Sequence, residues 1–195
     1  MTIDINNMLH SILESVSKID YIKTADIPNI PLYMDQVTTF MDSQLSGTKR
    51  YDSDKILTKT MINNYAKNDL LPPPLKKKYS KEHLLVLIFI YYFKSFLTIT
   101  DIQAILNPIT NKFFDDNTSI TLEDIYNEVF SLEKEQIAFL KDDLIHKYQL
   151  ASETFENADQ DQEFLKTFSF ICLLSFDVYV KKHIIEHLID QLNPK

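Results

Sequence analysis

The stretch TKTMINNYAKNDLLPPPLKKKYSKEHLLVLIFIYYF, residues 58–93, contains the signals that decide the fold. Thr58 is a good N-cap for a short helix, which we predict over residues 58–68. The three prolines that follow end this helix, because proline lacks the backbone N–H that an interior position donates. Ser80 is the next N-cap. The helix predicted over 81–97 is apolar almost all round, so we expect it at the centre of a small domain.

The short helix 58–68 has an apolar side and a polar side. Met61, Ile62 and Tyr65 share the side that we expect to face a core. The polar side carries Lys59, Thr60, Asn63, Asn64 and Lys67. In the DNA major groove, asparagine pairs well with adenine, and lysine with guanine or phosphate. This side therefore fits a DNA contact, and the alternative is an ordinary hydrated surface.

A basic segment lies between the prolines and the apolar helix. Lys76, Lys77 and Lys78 are predicted at the tip of a loop beside the short helix, with Tyr79 at its base. A recognition helix followed by such a loop is a helix with a wing, here residues 75–79. Tyr79 has two interpretations: its hydroxyl lies near a phosphate, or its ring packs against the helix that follows.

The charge of the chain is unevenly distributed. The formal net charge is −8, but residues 49–94 hold ten lysines or arginines against four acids. The remaining residues hold ten bases and 24 acids. Nucleic-acid affinity depends on the local release of counterions and not on total charge, so a basic segment in an acidic chain suits phosphate binding. The alternative interpretation is a hydrated lysine cluster in front of a helix.

Helical periodicity extends to both sides of this stretch. An amphipathic helix is predicted within residues 1–26, and a second helix over Leu32–Leu45. On the C-terminal side, a short helix is predicted from Thr100 to a stop at Pro108.

Two longer helical stretches follow. Thr121 and Asp124 resemble a capping box, which opens about 28 residues of helical pattern. A final long helix is predicted from Asp161 to Leu192. It is apolar over more than one face, so another surface must cover it.

The composition favours helices. One of the 195 residues is glycine, so turns that need a positive φ, including primed hairpin turns, are expected to be scarce. The apolar runs 84–93 and 168–176 are shorter than the roughly 18 to 20 residues of a membrane span, so both are predicted to be buried core helices. Cys172, the only cysteine, is predicted to be buried and inert. The N-terminal residues lack the signal-peptide pattern, so a cytoplasmic location is expected.

HIIEH, residues 183–187, matches the H-x-x-E-H pattern of inverted zinc peptidases. A zinc site needs a third ligand, and Asp190 on the neighbouring face would give a cramped site on a single helix. The chain also lacks a glycine-rich phosphate loop and a nucleophile motif. We therefore expect no enzyme activity, no metal and no cofactor.

The segment TKTMINNYAKNDLLPPPLKKKYSKEHLLVLIFIYYFKSFLTITDIQAIL, residues 58–106, resembles the winged helix-turn-helix head of MerR-type transcription regulators. Those heads run from a recognition helix through GLLPP and a basic wing, which ends in Arg or Lys and Tyr, to the start of the next helix. Over residues 27–150 the chain is also similar to an uncharacterised family of Gram-positive bacterial proteins with a MerR-like head. LYMDQVTTF, LTKTMINNY and KKKYSKEH are typical of that family.

This resemblance implies DNA binding. It makes Thr58–Lys67 the recognition helix, Lys76–Tyr79 the wing tip and Leu32–Leu45 the supporting helix. The chain departs from the MerR-type pattern at Asp69, where glycine is usual, and at Thr60 and Asn63, where arginine is usual. MerR-type regulators dimerise through a long helix after the head, so the C-terminal helices imply a homodimer.

The resulting prediction is an all-α protein with an N-terminal helix (1–26), a MerR-like winged helix-turn-helix domain (27–110) and a helical C-terminal region for dimerisation or effector sensing (111–195). The predicted function is that of a homodimeric transcription regulator without a membrane segment, whose effector is unknown. The alternative is an all-helical protein–protein interaction module that does not bind DNA. The residues predicted to contact double-stranded DNA are Thr58, Lys59, Thr60, Asn63, Asn64, Lys67, Lys76, Lys77, Lys78 and Tyr79.

Overall fold

The computed structural model describes residues 5–17, 21–115 and 118–192, without the side chains of residues 5–7, 133 and 134. This part of the chain is mostly helical, with one small antiparallel sheet, so the all-α prediction is confirmed. The helices are α1 (Ile5–Ser17), α2 (Met34–Leu45), α3 (Lys59–Lys67), α4 (Lys81–Phe93), α5 (Ile99–Phe113), α6 (Leu122–Ser131), α7 (Glu133–Ser152) and α8 (Gln162–Leu192). The strands are β1 (Leu32–Tyr33) and β2 (Lys78–Tyr79).

The chain folds as two compact units. The central unit consists of Ile22–Val129 with Glu186–Lys195, and the flanking unit consists of Met1–Tyr21 with Phe130–Ile185. The flanking unit is therefore assembled from segments on both sides of the central unit in the sequence. The predicted domain boundaries, after residues 26 and 110, fall inside the central unit.

Helix α4 forms the middle of the central unit. Every residue from His83 to Ile90 is buried, on all sides of the helix. Strand β2 and helix α5 both contact α4. A helix that is covered all round is apolar all round, which is the pattern that the sequence shows.

The small sheet was not predicted. β1 pairs with β2 in antiparallel register, with Leu32 opposite Tyr79 and Tyr33 opposite Lys78. The prediction that α2 begins at Leu32 was wrong, because this helix begins two residues later, at Met34. A strand of two residues is too short to show the alternation of polar and apolar side chains that identifies strands in a sequence.

Tyr126 links the two ends of the main segment of the central unit. Its hydroxyl donates a hydrogen bond to the Ile22 carbonyl (2.6 Å), and its buried ring packs edge-on against Phe89. Nearby, the Thr24 hydroxyl donates to the amide oxygen of Asn127 (3.1 Å). These bonds join the segment that enters the unit to α6, the helix near its end.

Helices α1, α7 and α8 contribute the core of the flanking unit, to which Leu144 and Phe170 belong. An ion triad joins α7 to α8. The Lys147 ammonium on α7 donates to Asp143 one turn earlier and to Asp177 on α8 (2.8 Å). The hydrogen bonds to Asp143 and then Asp177 raise the pKa of Lys147 above its ordinary value.

Helix α5 differs from the prediction at both ends. Its N-cap is Thr98, two residues before the predicted one: the Thr98 hydroxyl donates to Asp101 (2.6 Å), and the Asp101 amide donates back to Thr98 Oγ1 (3.2 Å). The helix also continues through Pro108, so the predicted stop there was wrong. An interior proline costs a helix about 3 kcal/mol. Leu106 before the proline and Thr110 after it are both buried, so the packing of α5 continues across the proline.

The stretch after Thr121 has its predicted capping box. The Thr121 backbone N–H (2.9 Å) and hydroxyl (2.7 Å) both donate to Asp124 Oδ2. The helical pattern that follows is divided into two helices, and the break lies at Leu132.

Helix α8 exposes apolar residues that were predicted to face a core. Phe168 is 53% exposed and Ile171 is 54% exposed. Cys172 is also exposed, so the prediction that it is buried was wrong. Within the run 168–176, Phe170 is the residue that the core of the flanking unit buries. No helix in the described part of the chain is long and apolar enough to cross a membrane.

Candidate nucleic-acid interface

Helix α3 begins as the sequence predicts. Thr58 is its N-cap, and the Thr58 hydroxyl oxygen accepts a hydrogen bond from the Met61 amide (3.2 Å). Ile62 and Tyr65 are buried and fix the helix to the core, where α3 contacts α2. Burial raises the pKa of Tyr65 above its ordinary value, so its hydroxyl stays neutral.

Helix α3 ends in a Schellman motif without glycine. The Leu70 amide donates to the Tyr65 carbonyl (2.9 Å), and the Asp69 amide donates to the Ala66 carbonyl (3.4 Å). Asp69 occupies the position that usually holds glycine and has a positive φ of 52°. Aspartate adopts this left-handed conformation more readily than most residues, so the turn forms despite the substitution. Leu70, the next residue, is fully buried.

The polar side of α3 points away from the core. All five of its predicted contact residues are exposed: Lys59, Thr60, Asn63, Asn64 and Lys67. The Asn68 side chain donates a hydrogen bond to the backbone carbonyl of Asn64 (2.7 Å). The side-chain amide of Asn64 takes no part in that bond. The exposed side of α3 therefore offers two amides and two ammonium groups on one surface.

The wing is a tight turn made of lysines. The Lys78 amide donates to the Leu75 carbonyl (2.9 Å), and the two residues between them have positive φ, 50° at Lys76 and 65° at Lys77. Positive φ at both central residues is the pattern of a type I′ turn, which normally uses asparagine and glycine. Such turns are expected to be scarce in a glycine-poor chain, and this one forms without glycine. Each left-handed lysine costs about 1 kcal/mol or more.

The root of the wing is buried. Tyr79 is 3% exposed, and its ring packs edge-on against His83 with the centroids 5.4 Å apart. Burial raises the pKa of the Tyr79 hydroxyl above its ordinary value. The position of Tyr79 agrees with the interpretation that its ring packs against the helix that follows. Its side chain is not part of the exposed surface.

The start of α2 links the wing to α3. Tyr33 pairs with Lys78 across the sheet, and the Lys78 ammonium lies 5.0 Å from the centre of the Tyr33 ring. Two residues further along the chain, the Asp35 carboxylate forms an ion pair with the Lys59 ammonium at the start of α3. Lys59 and Lys78 lie 19 positions apart in the sequence. Their side chains nevertheless contact residues that are close together at the start of α2.

Tyr33 is a candidate contact residue that the sequence analysis missed. It is 54% exposed, and it stands beside a basic side chain at the edge of the wing. The one signal that reveals it is the pairing of β1 with β2, which joins residues far apart in the sequence.

The Lys59–Asp35 ion pair is a weak contact. The side chains are 60% and 75% exposed, and ion pairs at such positions contribute about 0 to 1 kcal/mol. Opening this pair so that Lys59 contacts a phosphate therefore has a small cost. Asp35 remains a negative charge on an otherwise basic surface.

A family model described as a domain of unknown function, DUF1836, matches residues 22–129. The chain belongs to the DUF1836 family. The match starts and ends at the same residues as the main segment of the central unit, which Tyr126 and Ile22 close. Membership of an uncharacterised family was predicted and is confirmed. No curated protein and no solved structure matches the chain.

The histidines of the HIIEH segment do not belong to a metal site in the described residues. His183 and His187 are both exposed, and His187 contacts the side chain of Gln191 one turn later (3.1 Å). No group of three or more histidine, cysteine, aspartate or glutamate side chains is arranged to hold a metal in the described part of the chain.

Proposed function

We propose that this DUF1836 protein is a DNA-binding transcription regulator that acts as a homodimer. In this proposal α3 enters the major groove, and the wing, residues 75–79, contacts the phosphate backbone. The family and the helical fold are compatible with many functions, so the proposal rests on the surface formed by α3, the wing and the start of α2. A cytoplasmic location follows from this function.

The observation that carries the proposal is the lysine turn. A sequence selected for stability alone would hold asparagine and glycine at positions 76 and 77, because both have positive φ. Strained backbone that persists in a folded protein is a reason to look for a function at that site. The strained residues are exposed lysines beside a polar helix, and the function that uses this combination is phosphate binding.

The polar side of α3 suits sequence readout. A helix is about 10 to 12 Å across with its side chains, which matches a major groove about 12 Å wide, and the nine residues of α3 make it about 13 Å long. Asn63 and Asn64 offer amides that pair with adenine, and Lys67 offers an ammonium group for guanine or phosphate. The proposed contact set is Lys59, Thr60, Asn63, Asn64, Lys67, Lys76, Lys77 and Lys78, with Tyr33 added and Tyr79 as the anchor of the wing.

An exposed stripe on α8 supports the homodimer. Phe164, Phe168, Ile171, Ser175 and Val178 follow one another at spacings of four, three, four and three residues, which is the repeat of a two-helix seam. The four apolar members are between 53% and 67% exposed. A second copy of the chain would cover them and would supply a second recognition helix, as a two-fold DNA site requires.

The test of DNA binding is selection from fragmented genomic DNA. The wild-type protein is compared with a variant in which Lys76, Lys77 and Lys78 are all replaced by glutamate. The charge-matched control replaces Lys112, Lys141 and Lys181 by glutamate, which changes the net charge equally at a distance from the wing in the sequence.

We expect the wild-type and control proteins to retain fragments that share a motif, and the wing variant to lose them. Equal retention by the wing variant would refute the role of the wing. A failure of all three proteins to enrich any sequence would refute DNA reading by this chain.

The alternative function, a protein–protein interaction module, is favoured by the same apolar stripe on α8. Sedimentation of an Ile171→Glu variant separates the two ideas, with Phe176→Glu as a control because Phe176 is exposed but lies outside the stripe. In the proposed regulator, Ile171→Glu gives a monomer with weaker DNA binding, and Phe176→Glu does not. A wild-type protein that is monomeric and indifferent to DNA would support the interaction module.

A further inference from the structure

His83 replaces the usual side chain of a capping box. It is the third residue of α4, and its Nδ1 accepts a hydrogen bond from the Ser80 backbone N–H (3.0 Å) and lies 2.9 Å from the Ser80 hydroxyl. Glutamate or glutamine normally accepts this bond at the third position. An imidazole accepts it only while Nδ1 carries no proton. The cap of α4 therefore depends on the protonation state of a histidine.

The surroundings of His83 disfavour a positive charge. The side chain is 5% exposed, and its ring lies edge-on to Tyr79 at the root of the wing and to Phe114 at the end of α5. Nε2 is buried and has no hydrogen-bond partner. Because Nδ1 accepts the Ser80 N–H, the neutral ring carries its proton on Nε2, so a second proton would go to Nδ1 and face the Ser80 N–H that now donates to it.

Two effects act in opposite directions on the pKa of His83. Burial lowers its pKa below the ordinary value of 6.5, and this is the largest effect. The backbone carbonyls of Pro73 and Pro72 and the carboxylate of Glu82 favour the protonated form and oppose the shift. The carbonyls lie near the ring without completing a hydrogen bond to Nε2. The titratable neighbour on the wing, Tyr79, stays neutral because burial raises its pKa.

His83 therefore connects three parts of the proposed interface. Through Ser80 it fixes the end of β2, through its ring it packs on Tyr79, and the carbonyls beside it belong to the proline stop that ends the α3 segment. A proton added to Nδ1 breaks the first of these contacts, because Nδ1 can then no longer accept the Ser80 N–H. His83 therefore contacts both the wing and the proline stop that follows α3.

We propose that His83 is a proton-operated switch for the wing: neutral His83 holds the wing in its DNA-contacting position, and protonated His83 releases it. The release of DNA rests on the proposed function, whereas the movement of the wing does not. A simple basic surface without this switch would not lose affinity for DNA on mild acidification, because lysine side chains in general titrate at far higher pH.

The direction of the effect follows from the lowered pKa of His83. The unfolded chain binds the proton more readily than the folded chain, so neutral His83 contributes its full stabilisation above pH 6.5. This contribution is lost as the pH falls from 6.5 towards the pKa of the folded state. The wing is therefore closed at neutral pH and opens in mildly acidic solution.

The test follows the wing by nitrogen-15 NMR of the full chain between about pH 7.5 and pH 5, the range in which histidine titrates. The backbone amides of Lys78 and Ser80 report on the turn and on the cap, and the imidazole signals of His83 report its own titration. The comparison variant is His83→Gln, because glutamine keeps the capping acceptor and does not titrate. DNA retention is measured over the same range for both proteins.

In the wild-type protein we expect the Lys78 and Ser80 signals to change together with the titration of His83, at a midpoint below pH 6.5. DNA retention should fall at the same midpoint, by tenfold or more within about one pH unit. The His83→Gln variant should show neither change.

Amide signals that stay constant while His83 titrates would overturn the switch, and this measurement needs no variant. A transition that persists in His83→Gln would also overturn it. If the wing opens as His83 is protonated but the protein retains no DNA at any pH, the switch is supported and the proposed DNA-binding function is refuted. The two failures are therefore distinguishable.

Discussion

Replacing Lys76 by asparagine and Lys77 by glycine should make the protein more stable and its DNA binding weaker. Both lysines have positive φ, and relief of this conformation is worth about 1 kcal/mol at each position. Glycine offsets part of the gain, by roughly 0.5 to 1 kcal/mol, because it loses more backbone entropy on folding. We expect a net increase of about 1 kcal/mol in the free energy of unfolding.

The loss of DNA affinity can be estimated from the two positive charges that the variant removes. Each phosphate contact contributes about 0.9 to the slope of log affinity against log salt concentration, so the slope per chain should fall by about 1.8. At roughly 0.1 M salt this corresponds to an affinity about 60-fold lower per chain. A double variant with arginine at both positions keeps the charge and the strain, and should leave stability and the salt slope unchanged.

The assays are denaturant unfolding followed by circular dichroism, and a salt titration of binding to the selected DNA motif. A variant that gains stability and keeps its affinity and slope would refute the wing as a DNA contact. A variant that loses stability would refute the strained turn itself. The prediction requires that stability rises while DNA affinity falls. An unfolded or aggregated variant cannot produce that combination.

Substitutions at three further positions test the contacts that hold the fold. Asp69→Gly should raise the free energy of unfolding by about 1 kcal/mol, because Asp69 has a positive φ after α3, and Asp69→Ala should lower it; unfolding midpoints check both. Tyr126→Phe leaves the buried Ile22 carbonyl without its donor, so thermal unfolding should show a loss of about 1 to 2 kcal/mol. Lys147→Met leaves two carboxylates facing each other across α7 and α8, so hydrogen exchange in α8 should accelerate with a loss of about 1 kcal/mol, and an unchanged rate would refute the triad as a structural link.

The local parts of the interface could be predicted from the sequence. Thr58 caps α3, and the apolar spacing of Ile62 and Tyr65 orients its polar side outward, because both signals lie within one or two helical turns. The all-round apolar pattern of α4 likewise predicted its central position. Such signals depend on neighbouring residues in the chain, which a sequence displays directly.

Contacts between distant residues could not be predicted in the same way. The pairing of Tyr33 with Lys78 depends on tertiary structure and left no periodic pattern in two-residue strands. The sequence predicts a stop at Pro108 because the local cost of proline is visible there, whereas the burial of Leu106 and Thr110 is not. The turn at Lys76 and Lys77 contradicts local preference altogether, and such contradictions are expected where function and stability conflict.

The discontinuous flanking unit has a consequence for the order in which the newly made chain matures. Residues 22–129 are complete, and Tyr126 can bond to Ile22, before α7 and α8 have been synthesised. Helix α1 is made first, yet the helices that cover Ile12, Leu13 and Val16 are made last. During synthesis the apolar face of α1 therefore stays uncovered until α7 and α8 have been made, and it is exposed to chaperones and to other nascent chains in that interval.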